Sequence, residues 1–188
     1  MKTTQKLLIA ILSILTLPVF SQVTISDVTL PAFQKINDAS LKLNGGGLRE
    51  KLWIDLYVAG LYLSNKTTDA QKVINADEAM NIHIEIVSTL ITREKFLEAV
   101  NEGFENSTNG NTAKFKTEIA SFVAAFKNEI VKGDNIDISY TPAKGVVVMK
   151  NGKTLTAIKG LEFKKALYGI WFGAKPADKN LMKGMLGL

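Results

Sequence analysis

Cysteine is absent from the 188 residues of this sequence. The chain therefore cannot form disulfides, and it offers neither a thiol nucleophile nor a zinc–thiolate centre. It also cannot be a lipoprotein that is anchored through a cysteine. If the protein is exported, its stability must come from the packing of its core.

Histidine is nearly absent, because His83 is the only one. A Ser-His-Asp triad or a multi-histidine metal site would have to be built on this one side chain. In the segment MNIHIEIVS, His83 alternates with apolar residues, as in a strand with one dry and one polar face. We therefore expect a surface or hydrogen-bonding role for it. The carboxylates form no HExxH motif and no calcium loop, so no metal or cofactor is predicted.

Clusters of basic residues are missing as well. The formal net charge is +5, and removal of Lys2 and Lys6 with a leader would leave +3. The positive charges are spread among many acidic residues, which is typical of an ordinary solvated surface. No nucleic-acid partner is predicted.

One long apolar run stands out, LLIAILSILTLPVF, which follows MKTTQK. Basic residues, an apolar run and small residues before Gln22 are typical of a secretory signal peptide. We predict a signal peptide over residues 1–21, a domain over residues 22–188, and export to the periplasm. The alternative is an uncleaved anchor, although the run is shorter than the ~20 apolar residues that a bilayer helix needs. After cleavage no integral membrane segment is expected.

The remaining sequence predicts one α+β domain. Strand patterns come first, helical patterns follow Thr92, and three short strands then precede two last helices, the second beginning near Pro176. Asn151-Gly152 joins two of these strands, and it is a strong hairpin signal because both turn positions need positive φ. Since alternating βαβ units are missing, we expect a mostly antiparallel sheet.

The stretch LNGGGLRE, residues 43–50, holds three consecutive glycines before Arg49. It fails the phosphate-loop templates, because no GxGxxG or GK[ST] is present and a strand follows it. The simplest interpretation is a glycine turn between two strands. The alternative is that the glycines let the backbone approach a ligand or another element closely.

Strand alternation from Arg49 onward predicts that Arg49, Trp53, Asp55 and Tyr57 share one face, while the opposite face is drier. A face of this kind can line a cleft, and Arg49 could bind a carboxylate or a phenolate there. Alternatively, Asp55 could neutralise Arg49 and leave nothing functional.

Two segments, LNGGGLREKLWIDLYVAGLYLS and LYGIWFGAKPADKNLMKGMLG, resemble the chalcone isomerase-like superfamily and its exported bacterial branch. The resemblance implies an open-faced β-sandwich, with a mostly antiparallel sheet, helices that cover one face, and a ligand cleft between the layers. Plant isomerases of this superfamily close a chalcone to a flavanone with an arginine and several polar side chains. Related non-catalytic members bind fatty acids and keep the arginine.

The family arginine matches Arg49, but the other catalytic positions differ. The positions that the family gives to threonine, tyrosine, lysine, asparagine and a second threonine fall on Tyr57, Phe96, Ala99, Gly103 and Asp178. Lost donors of this kind are each worth about 10²–10³ in rate. The resemblance therefore favours a non-catalytic protein that binds a small amphipathic carboxylate, such as a fatty acid, through Arg49, Tyr57 and Phe96.

Two alternatives remain open. One is an intramolecular lyase that acts on a chalcone-like aromatic substrate, with Arg49 as its catalytic residue. The other is a folded envelope protein whose cleft is collapsed and whose Arg49 is held in a structural ion pair.

Overall fold

The computed structural model of the chain describes residues 22–188, so the predicted signal peptide lies outside the described residues. The described residues form nine strands and five α-helices. The strands are β1 Val23–Ile25, β2 Val28–Leu30, β3 Phe33–Ile36, β4 Ala39–Lys51, β5 Ile54–Leu63, β6 Met80–Ile86, β7 Asn135–Thr141, β8 Gly145–Lys150 and β9 Lys153–Ile158. The helices are α1 Ala70–Asn75, α2 Arg93–Ser107, α3 Lys116–Ala125, α4 Leu161–Phe172 and α5 Lys179–Met185. None of these helices is both long and apolar enough to cross a membrane.

Strands β3 to β9 form one seven-stranded antiparallel sheet in which every strand pairs with its neighbours in sequence. The two short strands β1 and β2 pair separately as a hairpin. The predicted α+β class with a mostly antiparallel sheet and helices on one face is confirmed.

The main core lies between the sheet and the helices. Met80, Ile82, Ile84 and Ile86 of β6 all face it and are at most 2% exposed, as the alternation predicts. The phenylalanines of α2, α3 and α4 fill the space above them. A smaller apolar cluster on the opposite face of the sheet is covered by the β1–β2 hairpin.

Helix and turn signals are mostly confirmed. Thr92 caps α2 by accepting a hydrogen bond from the backbone N–H of Lys95. Asn151 and Gly152 make the β8–β9 turn with φ of 50° and 76°. The predicted start of the last helix near Pro176 is wrong, because Asp178 accepts backbone N–H groups and so sets the start of α5 at residue 179.

The predicted glycine turn is also wrong, because the three glycines lie inside β4 and the chain reverses at Leu52-Trp53. The glycines instead allow a close approach of α5. A Cβ on Gly45 would lie 2.2 Å from the carbonyl oxygen of Gly184, and one on Gly47 would lie 3.1 Å from Leu181 Cα. The alternative interpretation, close approach to another element, is the one that holds.

The prediction that Arg49, Trp53, Asp55 and Tyr57 lie on one face of the sheet is correct only in part. Trp53 lies in the turn and is 95% exposed. Asp55 accepts a hydrogen bond from the Ser26 hydroxyl at 2.8 Å, away from the arginine. A register shift between residues 49 and 50 breaks the simple alternation that the prediction assumed. Arg49 and Tyr57 remain together, as direct partners across β4 and β5.

Candidate ligand-binding site

The site is built around the pairing of Arg49 with Tyr57. The strand register places them opposite each other on the face that looks toward the helices. The Nη1 of Arg49 lies 3.5 Å from the Tyr57 hydroxyl oxygen, and its guanidinium carbon lies 5.5 Å from the centre of the tyrosine ring. The cation thus lies over the face of the ring, in the geometry of a cation–π contact.

Helix α4 supplies a second support for the tyrosine. The indole Nε1 of Trp171 donates a hydrogen bond to the Tyr57 hydroxyl oxygen at 3.1 Å. Both side chains are buried, with 5% of Tyr57 and 6% of Trp171 exposed. Because the hydroxyl oxygen accepts from two donors, and the described residues offer its proton no acceptor, that proton can be donated to a ligand.

Arg49 is half-buried, and no carboxylate of the described residues lies within ion-pair distance of it. Arg93, in contrast, lies 3.8 Å from Glu94. Asp55, the predicted neutralising partner, is bonded to Ser26 instead. Within residues 22–188, Arg49 is therefore not held in a structural ion pair, contrary to that alternative. An unpaired guanidinium in a cleft is free to bind an external anion.

A cavity of about 350 Å³ opens beside these residues, between the β4–β5 hairpin and α2. Much of its lining is apolar, contributed by Leu52, Ile54, Leu56, Leu90, Ile91 and Phe96. Its volume falls at the lower end of the range of small-molecule sites. We call this space the outer cavity. The deeper space between the sheet and the helices is nearly filled, as the alternative of a collapsed cleft expects.

A second space, the inner chamber, lies deeper between the sheet and the helices, with a volume of about 30 Å³. This volume holds about two water molecules. Arg49, Tyr57, Phe96 and Ala99 line both spaces and so form the neck between them. Beyond the neck, the lining is apolar except for the indole N–H of Trp171, which is already bonded to Tyr57.

Charged groups lie around the outer cavity, and most of them are exposed. The positive groups are Arg49, Lys51 and Lys95, and the negative groups are Glu98 and Glu102 of α2. Arg49 alone of these five is half-buried. It is therefore the charge that solvent screens least, and the one whose interaction with a ligand is strongest.

The other positions taken from the family pattern fall in different places. Ala99 lines the cleft with a methyl group where a donor was expected. Gly103 packs against Ile170, where an added Cβ would lie 2.7 Å from a side-chain carbon. Asp178 caps α5 and lines neither cavity. Trp171 was not predicted, because its partner is 114 residues away in sequence.

No group of three metal-ligating side chains occurs within residues 22–188. His83 lies on the opposite face of the sheet, where its Nδ1 is 2.8 Å from Asp137. Burial raises the pKa of the Asp137 carboxyl, but the hydrogen bond and the charge of His83 outweigh it and leave that pKa below its usual value. The predicted hydrogen-bonding role of His83 thus agrees with the structure.

Comparison with known proteins gives a family and a fold. A model described as chalcone isomerase-like matches residues 22–187. A crystal structure of an Arabidopsis thaliana fatty-acid binding protein superposes with a TM-score of 0.69 at 22% sequence identity, covering 88% of this chain and 96% of that one. At this identity the likeness shows the fold. A search of curated protein sequences finds no match.

Proposed function

The chain belongs to the chalcone isomerase-like family, and from this premise we propose that it is a non-catalytic binding protein for a small amphipathic carboxylate such as a fatty acid. One observation carries the proposal. Arg49 is a half-buried guanidinium without a carboxylate partner among the described residues, and it stands at the neck of an apolar cavity. Such a group favours an anionic head attached to an apolar body.

The head group is held by two donors. The guanidinium of Arg49 can offer two parallel N–H groups to a carboxylate, and the Tyr57 hydroxyl can donate its free proton to the same group. Trp171 fixes the position of that hydroxyl before the ligand arrives. A site ordered in advance loses less conformational entropy when it binds.

The tail is placed in the outer cavity. The inner chamber, at about 30 Å³, is too small for more than two or three heavy atoms, whereas the outer cavity has about 350 Å³. Its apolar lining residues, among them Leu52, Leu56, Leu90, Ile91 and Phe96, are then available to contact the alkyl chain. The Arabidopsis protein of the same fold, which its title names a fatty-acid binding protein, supports this ligand class.

Calorimetric titration with saturated fatty acids of increasing length tests the proposal. We expect affinity to increase by roughly 0.8 kcal/mol for each methylene that becomes buried, and to level off once the outer cavity is full. Alcohols of the same lengths should bind more weakly, because they lack the charge that Arg49 binds.

The decisive variant is Arg49→Ala. A charge-assisted hydrogen bond contributes about 1.5–3 kcal/mol, so fatty-acid affinity should fall by about ten- to a hundredfold while alcohol affinity stays nearly constant. Lys153→Ala removes an exposed positive charge on the far strand β9 and should change neither. Equal fatty-acid affinity of Arg49→Ala and the wild type would overturn the proposal.

We also propose that the protein is exported to the periplasm and belongs to the exported bacterial branch of its family. Support comes from the sequence of residues 1–21, and from the match of the family model, which starts at residue 22. Mass spectrometry of the protein from its own host tests this. An N-terminus at Gln22 is expected, and an intact Met1 in the cytoplasmic fraction would contradict export.

A further inference from the structure

The mouth of the outer cavity carries exposed apolar side chains. Trp53 is 95% exposed, Leu52 75%, Leu90 51% and Ile54 38%. Leu52 and Trp53 form the turn between β4 and β5, Ile54 follows them, and Leu90 lies in the loop before α2. We call these four residues the apolar rim. Large exposed apolar groups gathered at one opening are typical of an interaction surface.

The two residues of the turn in this rim do not suit its backbone conformation. Leu52 and Trp53 both have positive φ, 53° and 62°. Two-residue turns of this kind favour Asn-Gly, and the same chain uses Asn151-Gly152 at its β8–β9 turn. Leucine and tryptophan therefore strain the backbone here and also expose apolar surface to water. The choice costs stability, which indicates that these two side chains serve a contact outside the fold.

The chemistry of the rim fits a lipid surface. Tryptophan and leucine bury their apolar bodies at the boundary between head groups and acyl chains, and tryptophan is enriched there. Lys51 adjoins the turn and Lys95 lies beside Leu90, and both are exposed. Lysines at such a position are attracted to anionic head groups.

Acidic residues also lie near the rim. Glu50 is exposed on the strand that leads to the turn, while Glu98 and Glu102 lie about one and two turns beyond Lys95 along α2. These three carboxylates equal Arg49 and the two lysines in number, so the attraction depends on the lysines that adjoin the rim, Lys51 next to Leu52 in sequence and Lys95 hydrogen-bonded to the Leu90 carbonyl oxygen at 3.1 Å. Residues 22–188 as a whole also carry a net positive charge.

We propose that the apolar rim docks on an anionic phospholipid bilayer, with Trp53 and Leu52 inserted at the interface and the lysines at the head groups. Leu52, Ile54 and Leu90 also line the outer cavity, so docking brings its mouth against the lipid. The protein then exchanges its ligand with the bilayer without passing the alkyl chain through water. This last step rests on the proposed function, whereas docking itself requires no ligand.

Fluorescence with phospholipid vesicles tests the docking. The vesicles contain phosphatidylglycerol and phosphatidylcholine in equal parts, or phosphatidylcholine alone, and one set carries brominated acyl chains that quench tryptophan. The full chain is used as it is obtained after export, in the same form for every variant. Trp53→Phe gives the background of the buried Trp171, so the difference reports Trp53.

Docking predicts that Trp53 emission shifts to the blue and is quenched by the brominated lipid. Binding should be stronger to vesicles with phosphatidylglycerol and weaker in high salt. In the double variant Leu52→Asn/Trp53→Gly, partitioning should fall by about tenfold or more. The same variant should unfold at a higher temperature, because Asn-Gly suits the turn. Val131→Ala, at an exposed valine outside the rim, should bind vesicles as the wild type does.

Three results would overturn the docking. Trp53 could remain unquenched with vesicles, or the double variant could partition as strongly as the wild type. Light scattering could also show that the rim mediates a dimer which Leu52→Asn/Trp53→Gly dissolves. Because the vesicles contain no fatty acid, each of these results leaves the binding test of Arg49→Ala unaffected.

Discussion

Trp171 of helix α4 donates its indole hydrogen to the hydroxyl oxygen of Tyr57 on strand β5 across 3.1 Å. This bond joins the helix layer to the sheet at the neck of the cleft. It also leaves the Tyr57 hydroxyl proton directed to a partner other than Trp171. The structure of the core and the polarity of the binding site thus depend on the same oxygen atom.

Replacement of that oxygen should affect both stability and binding. In Tyr57→Phe, the buried indole N–H of Trp171 loses its acceptor, which should destabilise the fold by about 1–3 kcal/mol. The ligand carboxylate loses a donor as well, so fatty-acid affinity should fall. Urea unfolding and calorimetric titration measure the two effects on the same protein sample.

Tyr140→Phe is the matched control for this prediction. Tyr140 is also buried, and its hydroxyl donates to Asp77 at 2.6 Å, away from the cleft. The control should lower the free energy of unfolding without a change in ligand affinity. If Tyr57→Phe behaves like Tyr140→Phe in the titration, the hydroxyl of Tyr57 has no role in binding.

The contact of the glycine segment with the last helix gives a second prediction. In Gly45→Ala, the new methyl group would lie 2.2 Å from the Gly184 carbonyl oxygen and 2.9 Å from the Gly187 nitrogen, both of which are backbone atoms. Overpacking of this kind should cost about 1–3 kcal/mol or more. Hydrogen exchange of the α5 amides should accelerate, because the helix can no longer lie against β4.

Gly133→Ala provides the comparison, because a methyl group added there would have nothing within 4 Å of it, and the φ of this residue is +89°. This substitution should show the cost of backbone strain alone, and it should leave hydrogen exchange of the α5 amides unchanged. Equal protection of α5 in Gly45→Ala and the wild type would contradict the packing role of the glycines.

A third prediction concerns Lys164, which is fully buried on α4. Its ammonium donates to the carbonyl oxygens of Val73, Ile74 and Ala76, at the end of α1. Lys164→Met keeps an unbranched side chain that is only one atom shorter, but it leaves these carbonyls without their donor, at a cost of about 1–3 kcal/mol. Lys165→Met, at a partly exposed neighbour, should change the free energy of unfolding by less than about 0.5 kcal/mol.

The same lysine should make stability depend on pH. Burial lowers its pKa from 10.5 to about 8, against the opposing effect of Asp77. Between these two values the unfolded chain binds more protons than the folded chain, so the free energy of unfolding should rise with pH across this window. Urea unfolding at about pH 8 and about pH 10 measures the rise. In Lys164→Met, the part of this rise that comes from the titration of Lys164 should be missing. An identical rise in both proteins would contradict the lowered pKa of Lys164.

A fourth prediction concerns catalysis. Phe96 and Ala99 stand at the neck of the cleft, where an isomerase would need donors, and neither side chain can donate a hydrogen bond. We therefore expect a chalcone to close in the presence of the protein at its spontaneous rate, followed by absorbance. A rate that increases in proportion to protein concentration and vanishes in Arg49→Ala would establish the lyase alternative.

Much of the fold could be predicted from local patterns. The alternation in β6, the cap at Thr92 and the Asn151-Gly152 turn depend on residues close together in sequence, and all three are confirmed. The glycine segment misled the prediction, because its reason is the close approach of α5, more than a hundred residues later. Nothing local distinguishes a glycine that turns the chain from one that admits a helix.

The candidate site was predictable to a similar extent. Arg49, Tyr57 and Phe96 line one cavity, and their role in ligand binding stays a prediction. Asp55 and Trp53 do not line this cavity. The turn lies at residues 52–53, and the register shift beside Arg49 changes which side chains share a face. Trp171 could not be inferred, since a buried indole needs an acceptor but the sequence does not say which one.

The central claim is that Arg49 binds the carboxylate of the ligand, and nuclear magnetic resonance of a bound fatty acid with a carbon-13 label in its carboxyl group tests it most directly. Titration with acid should leave the bound carboxyl ionised to a lower pH in the wild type than in Arg49→Ala, because the guanidinium favours the charged form. Decanoate is a suitable ligand for the outer cavity. A bound carboxyl that titrates at the same pH in both proteins would contradict the account.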